Sequence, residues 1–416
     1  MHKSEIAVVG AGIVGVCCAL QLQSNGYQVT LYDSREPGTA TSYGNAGIIA
    51  DSLIMPYSVP GLWKKLPAML LSPDSPLKIR WAYLHRALPW VARFLAEGTE
   101  KRALEVASEI ASLGKRSQSA HRHLMRQHNI DASLIRSNGV LKAYRDATLI
   151  ENNKFEHECL AQNGVPLEVL NSDELRQLEP GISHEFTAGE FLPEMGQVVQ
   201  SIRLTEAYYD VFCQLGGRHK RESVRDFEVG LDGPNRVHTD LGIYPVEQVL
   251  IAAGAWSRPF ARVLGGDVPL DTERGYHINV NWTDEVILHR PVVDAERYYV
   301  MAPMTDGVRI TTGTELGGLH LKPDFSRPRR ILAQARNSLS GLTGEVNREW
   351  MGYRPSIPDS KPIIGRSPKF NNVFFAFGHG HLGLTQAAIT AELITQIVTN
   401  SPPSIDVGPF SIERFF

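Results

Sequence analysis

The stretch IAVVGAGIVGVCCALQLQSNGYQVTLYD, residues 6–33, carries glycines at positions 10, 12 and 15 and an acid at position 33. Each has a task in holding a dinucleotide. Gly10 permits a tight turn, Gly12 lets backbone approach a pyrophosphate, and Gly15 lets the following helix lie against the strand, with its N-terminus facing the anion. Asp33, 18 residues after Gly15, stands where a carboxylate takes the hydroxyls of an adenosine ribose. An acid there would repel a 2′-phosphate, which argues against NADP; the turn alone does not separate NAD from FAD.

A second glycine turn comes late. In VFFAFGHGHLGLTQAAITAELITQIV an apolar strand, a glycine turn and a helix follow one another again. A nicotinamide dehydrogenase has no need of this unit. A flavin, whose ring extends well beyond the first turn, has a use for it: free amides at Gly380, Leu382 and Gly383 would stabilise negative charge on the reduced ring. His379 and His381 form an H-x-H pair without a third ligand at recognisable spacing, so no metal site is expected. His381 reads either as a contact to flavin or substrate or as a structural histidine.

Arg354, in GYRPSIPD, has the planar guanidinium that holds a carboxylate through two parallel bonds, unless Glu349 or Asp359 takes it in a structural ion pair. Tyr276 in RGYHI and Tyr299 in ERYYVMAP suit a pocket wall, with an apolar face and one polar tip; core packing explains either as well, and alternation does not choose between Tyr298 and Tyr299.

The elements that must position these residues follow from periodicity. Residues 6–9 read as a buried strand, 13–25 as a helix stopped by Gly26, and 28–32 as a second strand. In GTATSYGNAGIIA, Gly44 and Gly47 would let backbone pass against a ring, with Ile48 and Ile49 as an apolar wall, or are simply turn residues. Residues 102–128 predict one long helix, and Asn138-Gly139 a turn into a strand, where a change of domain is expected. A further helix over 203–215 precedes the buried strand of YPVEQVLIAAGAWS, and 274–315 is strand-like. Between 62 and 95, Trp63, Trp81 and Trp90 lie among basic residues with Asp74 as the sole acid; this segment reads as a surface for an anionic bilayer or as a cap over the site.

A chain of 416 residues with 43% apolar and 21% charged residues is globular and long enough for two domains. Its net charge of −3 gives no reason to expect nucleic acid. Four cysteines without framework spacing fit a reducing compartment. The first apolar segment is used as a strand rather than a signal, and no apolar run is long enough to span a bilayer, so a cytoplasmic protein is expected.

Four matches spread over nearly the whole chain resemble the D-amino acid oxidase-like family of FAD enzymes: VVGAGIVG with Asp33, TSYGNAGIIA, LIAAGAWS, and MGYRPSIPDSKPIIG followed by FGHGHLGLTQA. The likeness is strongest to its bacterial D-amino acid dehydrogenase branch, which includes enzymes acting on D-hydroxyproline. Much of the family carries Glu where this chain has Asp33. The resemblance implies an α/β fold: a Rossmann-like FAD-binding domain (residues 1–130, 191–264 and 346–416) interleaved with a substrate domain on a mixed β-sheet (131–190 and 265–345). It implies FAD contacts at Gly10, Gly12, Ile13, Val14, Gly15, Asp33, Ser34, Thr41, Ser42, Asn45, Ala46, Gly47, Ile48, Val224, Ala253, Gly254, Trp256, Gly380, His381, Leu382, Gly383, Leu384 and Thr385. Arg354 would bind the substrate carboxylate, with Tyr276, Tyr299 and His381 around the reacting amino acid. The implied reaction is oxidation of a D-amino acid to an imino acid, with electrons leaving to an acceptor such as quinone; the bilayer reading of 62–95 would suit such an enzyme, peripheral on the inner face of the cell membrane, and the cap reading stands beside it. An oxygen-using oxidase of glycine, sarcosine or another N-substituted amino acid, and a flavin subunit of a hetero-oligomeric amine or opine oxidising complex, are the alternatives.

Overall fold

A computed structural model describes residues 4–64, 75 and 77–416. Two sheets organise the chain. The first has six strands in the order Arg218–Lys220, Gln28–Tyr32, Glu5–Val9, Gln248–Ile251, Val373–Phe377 and Ile363–Arg366, all parallel except the last. Its central strands are continuous apolar runs because both faces are covered. Helices Ile13–Ser24 and Gly383–Val398 pack against each other in the larger core beneath it. The apolar residues of Arg258–Leu264 close the other face.

The second sheet has nine strands and mixed direction. Its main path runs Val346–Ser356, Asp271–Val280, Gly307–Leu316, Tyr299–Met304, Val292–Asp294, Val140–Tyr144, Ala188–Leu192 and Glu168–Asn171; Leu77–Ile79 joins at the side of Gly307–Leu316. One face carries the core around Leu141, Ile278, Met301 and Ile310, closed by helix Ser326–Ser338.

Register sets what lies on the other face. Trp350 pairs with His277, His277 with Thr311, Thr311 with Val300, Val300 with Val293, Val293 with Lys142, and Lys142 with Glu190. Paired residues share a face, so this row is a floor of side chains crossing the sheet. At a strand spacing of about 4.8 Å, Trp350 to Lys142 spans roughly 24 Å.

The helices expected over 13–25, 102–128 and 203–215 are Ile13–Ser24, Glu100–Gln127 and Ser201–Gln214. The expected division at 346 differs from the sheet membership: Val346–Ser356 pairs along Asp271–Val280, and the six-stranded sheet resumes only at Ile363. A strand that leaves one sheet and returns to another carries no local mark of where it crosses. Of the basic, tryptophan-rich stretch, 65–74 and 76 lie outside the described residues. Trp90, on helix Leu84–Ala96, turns inward and donates its indole N–H to Ser356 O at 3.3 Å, while Trp63 and Trp81 are exposed. Among the described residues no helix is long and apolar enough to cross a membrane.

Gly15 sits where helix meets turn: a Cβ there would lie 1.9 Å from Gly10 O. Gly15→Ala is expected to destabilise the protein by about 1–3 kcal/mol through overpacking, read as a lower urea midpoint. An unchanged midpoint would mean that the helix can move away freely.

Candidate active site

One cavity of about 880 Å³ lies between the two sheets, and Trp350, Thr311, Val300, Val293 and Lys142 of the floor row line it. At its nucleotide end the backbone is bare. Gly10 has φ +110°, and a Cβ on it would lie 2.4 Å from Ala252 O; one on Gly12 would lie 3.2 Å from Ser42 Oγ. Gly12 caps helix Ile13–Ser24 without a side chain. Asp33 ends the second strand; its two carboxylate oxygens accept from Ala11 N at 2.8 Å and Arg35 N at 3.0 Å. Ser42 Oγ accepts from Ile13 N at 3.0 Å, so the loop over 38–50 closes onto the helix start.

That loop is clasped from the nine-stranded sheet and from helix Ser201–Gln214. Thr41 Oγ1 donates to Tyr353 O, His277 Nδ1 contacts Gly44 O at 2.9 Å, Arg309 donates to Asn45 O at 3.0 Å, and Ser201 donates to Asn45 Oδ1 at 2.6 Å. A Cβ on Gly44 would fall 2.1 Å from the Trp350 ring, which stacks on His277 at 5.1 Å. Ile48 lines the cavity; Ile49 turns into the core instead.

Gly10, Gly12, Ile13, Val14, Asp33, Ser34, Thr41, Ser42, Asn45, Ala46, Val224, Ala253, Gly254, Trp256, Gly380, His381, Leu382, Gly383, Leu384, Tyr276 and Arg354 all line this cavity. Gly15, Gly47, Thr385 and Tyr299 do not. Gly47, at φ +72°, lies against Val198 O, and Thr385 Oγ1 accepts from Ala50 N at 3.0 Å, pinning the loop to the C-terminal helix. Tyr299 is in the core and donates to Ser338 Oγ at 2.7 Å, on the far side of the sheet from the floor row. Tyr298 is exposed at φ +56°, so neither member of the pair is a pocket wall. Tyr276 borders the cavity, but its side chain is not the wall expected: it pairs with Thr312, as Tyr299 does, on the face opposite the floor row, and its hydroxyl donates to Glu315 at 3.0 Å and accepts from Asp324 N at 3.2 Å.

The late glycine turn follows Val373–Phe377 directly. Of the three amides expected to be free, Gly380 N donates to Pro355 O at 2.9 Å and Leu382 N to His379 O at 2.8 Å. The turn needs those bonds to close. What remains is the first turn of helix Gly383–Val398, where the amides of Gly383 and Leu384 have no intrahelical acceptor. His379 bonds Thr390 Oγ1 at 3.0 Å, and burial depresses its pKa to about 3, a neutral structural ring. His381 packs against Tyr57, with ring centroids 4.5 Å apart and planes tilted by 51°, and burial and the Arg354 charge hold it far below the usual imidazole range.

Arg354 runs across Gly275, where a Cβ would collide with its guanidinium at 2.4 Å. Nη1 donates to Gly313 O at 3.1 Å. Neither expected carboxylate takes it, because Glu349 pairs with Arg329 and Asp359 with Arg414, each at 2.7 Å. Burial lowers its pKa, and Glu273 and Tyr57 oppose that. Arg354 is only partly buried, and it lines the cavity.

Sequence reading missed Trp350, Tyr57, Glu273, and the Lys142–Glu156 pair at 2.6 Å on the cavity wall. Pairing register brings in Trp350, Glu273 and Lys142, while Tyr57 arrives from a loop and Glu156 from helix Lys154–Gln162; only the run Tyr-Arg-Pro near Trp350 hints at one of them. Among the described residues no group of His, Cys, Asp and Glu side chains is placed to hold a metal.

A parallel sheet with a bare glycine cradle, joined to a second sheet across one long cavity, defines a dinucleotide-dependent oxidoreductase of flavin type. The chain belongs to the DAO family of FAD dependent oxidoreductases, whose profile matches residues 5–397. It is similar to the D-amino-acid oxidase of Bradyrhizobium diazoefficiens, 32% identical over 418 residues covering 99% of each chain. It is similar also to D-amino acid dehydrogenase 1 of Mesorhizobium japonicum, 29% identical over 421 residues and 99% of each. Glycine oxidase from Geobacillus kaustophilus has the same fold, with a TM-score of 0.77 at 19% identity over 99% of both chains. FAD is therefore the cofactor of this enzyme, and the cradle fits it: Gly10 and Gly12 leave bare backbone at the turn, and the Asp33 carboxylate lines the cavity beside it.

Replacing Asp33 by Ala removes the acceptor for two turn amides and the proposed ribose contact. FAD affinity is expected to fall by about 1.5–3 kcal/mol, roughly ten- to a hundredfold, in a flavin fluorescence titration of apoprotein. Equal affinity would remove Asp33 from the cofactor site.

Proposed function

We propose that this enzyme is a dehydrogenase that oxidises the Cα–N bond of a D-amino acid, cyclic ones such as D-hydroxyproline included, to the imino acid. The observation that carries the reading is Arg354, a cation opening onto the cavity beside the Gly380–Gly383 turn with both nearby candidate carboxylates engaged elsewhere. Its Nη1 is used on Gly313, which leaves Nε and Nη2 as the pair for a bidentate carboxylate contact. Bound FAD supplies the hydride acceptor. The chain's part is to position: Arg354 fixes the carboxylate at the cavity wall. Neutral His381 adds no second cation beside a substrate amine.

The D configuration and the amino acid class rest on the names of the curated relatives, which share the full length of the chain. A respiratory quinone-type acceptor agrees with the dehydrogenase names and with a peripheral position in the cytoplasm at the inner membrane face, where exposed Trp63, Trp81 and Leu88 would meet lipid. The relative named as an oxidase supports a second reading, in which oxygen reoxidises the flavin.

Anaerobic titration with D-amino acids, D-hydroxyproline, glycine and sarcosine is expected to bleach the flavin absorbance with a D-substrate, and air to restore it slowly. Rapid recolouring with stoichiometric peroxide would establish the oxidase reading instead. Arg354→Ala is expected to raise KM by roughly ten- to a hundredfold, from about 1.5–3 kcal/mol of charged hydrogen bonding. An unchanged KM excludes Arg354 as the anchor.

A further inference from the structure

Glu273 and Arg354 are register partners on the neighbouring strands Asp271–Val280 and Val346–Ser356, so their side chains leave the sheet on one face. Glu273 is 6% exposed. Its surroundings come from four directions. Arg354 faces it from the partner strand, and Asp271 stands two residues along its own strand. His381 Nε2 lies 3.8 Å from its carboxylate, on the late glycine turn, and Tyr57 packs at a tilt against that histidine. His381 is neutral and Tyr57 is held in its phenol form by burial, so Arg354 is the one cation acting on the acid.

We propose that Glu273 is a positioning residue that is in its protonated form whenever a carboxylate occupies Arg354, which makes anchoring of the substrate proton-linked. This rests on the proposed role of Arg354. Without ligand, the guanidinium balances the Glu273 carboxylate. A substrate carboxylate brings a second anion to the same cation in an enclosed site, where two uncompensated charges are costly. Protonating Glu273 restores the balance: one cation, one ligand anion and one neutral acid, with the proton drawn from solvent. The acid is poised for it, since burial pushes Glu273 up to about 7 despite the pull of Arg354.

The sign follows from linkage. Below pH 7 Glu273 already holds its proton, and carboxylate affinity does not change with pH; above it each bound carboxylate requires one proton, and affinity falls up to tenfold per pH unit. The test uses the FAD-loaded full chain and cyclopentanecarboxylate, which has no amine to oxidise or titrate. Calorimetry at pH 8 in two buffers of different ionisation enthalpy is expected to report uptake of close to one proton per ligand. Between pH 6 and 9 the wild-type dissociation constant should rise above pH 7, whereas that of Glu273→Gln stays flat near the low-pH wild-type value. Asp271→Asn should keep the wild-type slope.

No proton uptake by the wild type, or a slope retained in Glu273→Gln, overturns the inference while leaving Arg354 as anchor. The wild-type calorimetry decides even if the glutamine variant does not fold. If the wild type does not bind the carboxylate at any of these pH values, the Arg354 anchor itself is wrong, and this inference falls with it.

Discussion

The segment over 38–50 has to satisfy two sheets at once, and the geometry of the site depends on that. From the six-stranded side it is tied to the helix start through Ser42 and to the C-terminal helix through Thr385. From the nine-stranded side, His277 and Arg309 engage its backbone, and the main chain of Tyr353 takes the Thr41 hydroxyl. Most of these bonds use main-chain atoms of the loop, leaving it lean enough to pass between the cofactor cradle and the floor of the cavity. Gly44 is the tightest point, because the Trp350 ring occupies the space of any side chain there. A loop so held fixes the distance between the sheets, and with it the placing of Arg354 relative to the glycine turns.

The charges around the cavity are arranged sparingly. Two histidines in the late glycine turn are kept neutral by burial, and one carboxyl, Glu273, is held near the point of titration. Arg354 thereby remains the dominant charge at that end, though burial works against it. An enclosed cation offset by a single acid has a strong preference for an added anion, since the low dielectric that makes its own desolvation costly also strengthens whatever pairs with it. The remote wall is different: Lys142 is already engaged by Glu156 and Glu190 at 2.6 and 3.4 Å, so it offers no comparable demand for a ligand charge.

Residues and elements governed by local rules were legible from the chain alone. The first turn, the acid at its second strand, both flanking helices and the late glycine turn follow from glycine placement and apolar period, which act within a few residues. So does the candidacy of Arg354, from its side-chain chemistry. What only the tertiary structure decided are matters of pairing. Tyr299 belongs to the core because strand register turns it to the face opposite Lys142 and Val300. The amide of Gly380 is spent on Pro355 O of the strand Val346–Ser356, and that of Leu382 on His379 O within the turn. Glu273 and Trp350 reach the site through antiparallel partners more than 70 residues away in sequence. Register between distant strands depends on which surfaces bury together, and no local pattern encodes a partner that is chosen only when the sheet assembles.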